Sequence, residues 1–99
     1  MTDEQAPVFD ALHVPPEAFD KGGVEVLRAV IIDGALHVSL RRAFDDPEAF
    51  GMMIADITRH VGRIYADRFP EEQTVERIRA IYDAEMDAPS DPGTTSAIS

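Results

Sequence analysis

Val24-Glu-Val-Leu-Arg-Ala-Val-Ile-Ile32 runs into Asp33-Gly34, and Ala35-Leu-His-Val-Ser-Leu-Arg-Arg42 runs out again. Asp-Gly between two β-branched runs is the signature of a two-residue type I′ turn, because both central positions need positive φ. That turn sets Ile32 opposite Ala35 and Leu27 opposite Leu40. One face of the resulting ribbon carries Leu27, Ala29, Ile31, Leu36, Val38 and Leu40 and is wholly apolar. The other mixes Val26, Val30 and Ile32 with Arg28, His37, Ser39 and Arg41. A two-stranded ribbon of this kind is marginal alone, so both faces call for cover.

Downstream, Asp45-Asp46-Pro47-Glu48 marks a helix start: Asp46 caps free backbone N–H groups, Pro47 suits the first helical position, and Glu48 complements the dipole. Phe50, Ile54, Ile57, Val61 and Ile64 then recur at helical spacing as one apolar stripe. This predicts a helix over about 46–68. Phe69-Pro70 breaks it, and Val75, Ile78, Ile81 and Tyr82 predict a second helix over about 71–87, ended by Ala88-Pro89. Upstream, Val8–Val14 is closed by Pro15-Pro16 and reads as a covering arm or an added strand, with a helical turn at Glu17–Asp20 before Gly22-Gly23. The expected fold is α+β: a small antiparallel sheet built on one hairpin (about 24–42), with both helices packed on its apolar face.

Residues 1–7 and 88–99 lack apolar periodicity and are expected to be disordered tails around a single domain, 8–87. About 80 residues form a small core, and stability is marginal without reinforcement. The chain has no cysteine, so neither a disulfide nor a zinc–thiolate site can reinforce it. Self-association is the remaining common route. With 19 acidic residues against 9 basic ones, the net charge of −10 disfavours nucleic acid and anionic membrane surfaces as partners. No run approaches a bilayer span, and the N-terminus lacks a signal-peptide pattern, so a cytoplasmic location is expected.

Three groups of residues invite a chemical reading. Arg28, His37, Ser39 and Arg41 share the mixed face and would suit a carboxylate or phosphate. The competing reading, cover by protein over Val26, Val30 and Ile32, is favoured because an apolar patch marks a covered surface. Gly51, Ala55, Thr58, Gly62 and Ala66 form a small-residue line about 120° round the first helix from the apolar stripe. Either the second helix or a symmetry-related copy would pack there; Gly51, Ala55 and Gly62 join Val26, Val30 and Ile32, the leading face, as interface candidates. Asp56 with His60, and Arg63 with Asp67, read as an exposed ion-pair ladder rather than a metal site, since a third ligand is not evident. No metal, cofactor or catalytic residue is expected: there is no cysteine, Ser39 and His37 lack an orienting acid, and Gly22-Gly23 precedes a strand instead of linking strand to helix.

The run Gly34–Gly51, above all Leu36-x-Val-Ser-Leu-x-x-Ala-Phe-Asp-Asp-Pro47, followed by Ala55-Asp56 and Tyr65-Ala66, resembles a family of small bacterial proteins known as a domain of unknown function. The resemblance covers roughly residues 12–87. It implies a bacterial, soluble, single-domain protein and brings no activity or site residue. The sequence therefore favours a non-catalytic, homo-oligomeric domain; the alternative is a binding domain or enzyme for a small anion on the Arg28/His37/Ser39/Arg41 face.

Overall fold

The computed structural model describes residues 9–90 and 94–98. The elements run α1 (Glu17–Asp20), β1 (Leu27–Ile32), β2 (Ala35–Arg41), α2 (Glu48–Ile64), α3 (Glu71–Asp87) and β3 (Thr94–Ile98). The α+β class read from the sequence stands. The expected disorder of residues 1–7 concerns positions outside the described residues.

β1 and β2 pair antiparallel in the register that the turn dictates, from Ile32 opposite Ala35 to Leu27 opposite Leu40. Asp33 and Gly34 have φ of 51° and 80°, the positive pair that a type I′ turn requires. The ladder extends one step further, with Arg41 N donating to the Val26 carbonyl at 2.9 Å. The two faces therefore fall as the alternation of side chains demands.

α2 starts where Asp46 and Pro47 place it. Asp46 Oδ1 accepts from Glu48 N at 2.9 Å, satisfying one of the donors that a helix start leaves free. α2 ends at Ile64, a turn earlier than the sequence pattern suggests; residues 65–69 form turns that lead to Pro70. α3 occupies the expected 71–87. Its end is tied by Ser90, whose N and Oγ both donate to Glu85 Oε1, at 2.9 and 3.0 Å.

Two expectations need correction. The third strand comes from the C-terminus: Thr94–Ile98, within the stretch read as a disordered tail, pairs parallel with β2, giving the order β1-β2-β3. Residues 9–14 of the N-terminal arm form no strand and run past β1, enclosing with it an open hollow of about 550 Å³. Thr94, Thr95 and Ile98 are β-branched and suit a strand, but Thr94-Thr-Ser-Ala-Ile98 follows Pro89 to Gly93 and has no apolar alternation to single it out.

The second correction concerns packing. The helices do not lie on the apolar face of the hairpin. Among the described elements, β1 meets β2, β2 meets β3, and α2 meets α3; neither helix contacts the sheet. Val75 is the one buried hydrophobic residue among those described. The radius of gyration, 16.5 Å, exceeds the roughly 13 Å of a compact chain of this length. The physical reason lies in the linker. Ala43 N donates to the Arg41 carbonyl at 2.8 Å, the Phe44 ring stands edge-on to Phe50 at 5.1 Å, and Asp46 caps α2. Phe44 and Asp46 are thus tied to the start of α2 and Ala43 to the end of β2, so the chain has left the sheet before the helices begin.

Candidate functional site

The cross-strand register brings Arg28 beside Ser39, Val30 beside His37 and Val26 beside Arg41, so all four candidate anion ligands do share one face. Their hydrogen bonds are already partly committed. Arg28 Nη2 donates to Glu25 Oε2 at 2.9 Å, and Arg41 Nε donates to the Glu25 carbonyl at 3.1 Å. Glu25, one residue ahead of the ladder, thereby engages both cations. The depression bounded by Glu25, Val26, Arg28, Ser39 and Arg41 measures about 160 Å³, small beside the several hundred Å³ of ordinary ligand pockets. Arg28 and Ser39 are exposed, while His37 and Arg41 are half-buried. The sequence could have flagged Glu25 by its position three residues before Arg28.

On the same face Val26 and Val30 are half-buried and Ile32 is 51% exposed. The opposite, wholly apolar face is as open: Ile31 is 68% and Leu36 43% exposed, and none of its six residues is buried. α2 shows the same condition, with Ile54 and Ile57 each 41% and Ile64 72% exposed.

The small-residue line divides. Gly62 is buried under α3: a Cβ there would lie 3.4 Å from the Glu71 carbonyl oxygen and 3.5 Å from Val75 Cγ2. Its smallness lets α3 of the same chain approach. Gly51 faces open space, and Ala55 lines the mouth of the α2–α3 cleft with Thr58 and Val75. Of the ladder residues, His60 Nδ1 accepts from Arg63 Nη1 at 3.1 Å. No group of three or more metal-ligating side chains forms among the described residues.

The sequence did not reveal a groove of about 620 Å³ between the helices, walled by Val61, Tyr65, Phe69, Ile78, Ile81 and Tyr82. Arg77 lies over the Phe69 ring at 4.9 Å along its border. Thr74, 8% exposed, sits in it with Oγ1 unpaired. A buried hydroxyl without a partner costs roughly 1–3 kcal/mol, and the polar pattern of Glu71-Glu-Gln-Thr74 gave no hint of burial.

The family described as Domain of unknown function (DUF5076) matches residues 11–90. The chain belongs to this family. The match takes in the hairpin, both long helices and the linker between them. A solved structure is similar over nearly its whole length: the "putative pyruvate dehydrogenase from the photosynthetic bacterium Rhodopseudomonas palustrus CGA009" is 37% identical, with 93% of this chain and 96% of that chain covered and a TM-score of 0.74. No curated protein matches. No described helix is long and apolar enough to cross a membrane.

Proposed function

We propose that this family member is a cytoplasmic, bacterial, non-catalytic domain that works as a homo-oligomer. The observation that carries the reading is the pair of partly exposed apolar faces, one on the sheet and one on α2, in a chain whose described elements bury a single hydrophobic residue. At roughly 25 cal/mol per Å² of apolar surface, the area these faces leave exposed is a substantial gain open to association. A second copy supplies the missing surface. With the helices away from the sheet, the larger apolar face is a stronger interface than the Val26/Val30/Ile32 side. The acidic, cysteine-free composition suits a reducing cytoplasm.

The anion reading is weaker, because Glu25 engages both arginines and the depression is small. The dehydrogenase name attaches to the similar protein; among the described residues of this chain no constellation argues for that chemistry.

Sedimentation velocity across a micromolar concentration series tests the proposal. The expected result is a species at a multiple of 10.9 kDa, with an unfolding midpoint that rises with protein concentration. A cooperative monomer whose midpoint ignores concentration overturns it.

A further inference from the structure

Resting on that self-association reading, we infer that the assembly is built by exchange: the apolar hairpin face of one copy lies on the α2 stripe of a second copy, and the reverse contact closes the pair.

Shape supports this. The α2 stripe from Phe50 to Ile64 rises about 21 Å at 1.5 Å per residue, and the seven residues of β2 extend about 20 Å. A strand pair of that length covers one helix stripe from end to end. The geometry leaves both faces available, since a chain's own helices make no contact with its own sheet among the described elements. A two-fold operation places each apolar face against the other kind of face, which is a closed arrangement.

Charge disfavours one like-with-like alternative, helix against helix. The span 48–87 carries nine carboxylates against five arginines, so apposing two helical units sets two acidic bodies together. The hairpin, 24–42, carries three arginines against two carboxylates. Sheet against helix therefore sets a nearly neutral unit against an acidic one, and avoids that repulsion.

Area supports it as well. The chain exposes 8534 Å². An ordinary folded monomer of this mass exposes about 5,600 Å². Granting the twelve residues outside the described set their full extended-chain area, and comparing the rest with a folded monomer of its own mass (about 5,100 Å²), leaves about 1,600 Å² per chain in excess. Two chains thus bring about 3,200 Å², within the range that obligate dimers bury.

The absence of native cysteines makes disulfide trapping a clean test. Leu36→Cys marks the hairpin face and Ile57→Cys the α2 stripe, both at partly exposed positions. Mixed, subunit-exchanged and oxidised, the two variants are expected to give a disulfide-linked dimer at least fivefold more abundantly than either alone. Equal trapping by Leu36→Cys alone or Ile57→Cys alone overturns the exchange, as does closure within one chain of the double variant at high dilution. Isotope-filtered NMR on a mixture of labelled and unlabelled unsubstituted protein gives the same decision without substitutions: intermolecular contacts from Leu36 or Val38 methyls to Ile54 or Ile57 methyls support it, and intramolecular or like-with-like contacts alone overturn it. Sedimentation separates the two levels. A monomeric mass removes the self-association reading itself, whereas a dimer trapped like-with-like removes only the exchange.

Discussion

The helical hairpin and the three-stranded sheet reach their order by different means. α2 and α3 share a seam: Gly62 and Val75 are buried against each other's helices, with Thr74 beside them. The sheet has no buried residue among those whose side chains are described, and is held by its ladder and its turn. Ladder hydrogen bonds exchange for bonds to water on unfolding, so each contributes only about 1 kcal/mol net. A helix pair with a seam has part of its stabilisation in hand. A sheet with two open faces depends on whatever covers it.

Val38→Asp strikes that dependence most directly. Val38 lies half-buried at the middle of the apolar face, and a carboxylate there is expected to reduce the sedimenting species to a monomer and to cost at least about 2 kcal/mol in denaturant unfolding. Ser39→Asp, one residue on and on the mixed face, is expected to leave the mass unchanged and stability within about 0.5 kcal/mol. Equal damage from both would move the interface to the Val26/Val30/Ile32 side.

The helical seam is probed by its two glycines. Gly62→Leu forces bulk against the Glu71 backbone and is expected to lose about 1–3 kcal/mol of helical unfolding free energy followed by circular dichroism. Gly51→Ala meets nothing within 4 Å and is expected to gain up to about 1 kcal/mol from helix propensity. A loss at Gly51 would show that another chain closes on it. Asp46→Ala removes the acceptor for Glu48 N and should cost about 1 kcal/mol in the same assay. The smallest effect belongs to Arg28→Ala: its ion pair with Glu25 joins side chains 43% and 54% exposed, so less than about 0.5 kcal/mol is expected.

Much of the local structure was legible because local chemistry decides it. The positive φ required at Asp33-Gly34 fixed the hairpin register, and Asp46-Pro47-Glu48 fixed the helix start to within a residue or two. Long-range contacts were less legible. The alternation in 27–40 identifies a face that must be covered, yet it carries no information on whether the covering helix is in the same chain. β3 was missed for a related reason: an edge strand is recruited by the unpaired backbone of its neighbour, so its side chains need not announce it. At the mixed face the residue types and their common side were readable, while Glu25, whose carboxylate pairs with Arg28 and whose backbone carbonyl accepts from Arg41, became plain only through those distances.

The parallel pairing of β3 on β2 bears on the order of assembly. The β1–β2 turn closes through two residues, whereas the register partners His37 and Thr94 lie more than fifty positions apart. Closing the longer loop costs roughly 3 kcal/mol more in chain entropy. β-Hairpin and helical hairpin therefore form early as separate local units, each on the microsecond scale. The terminal strand docks afterwards and is the first to release, so its amides should exchange with solvent sooner than those shared between β1 and β2.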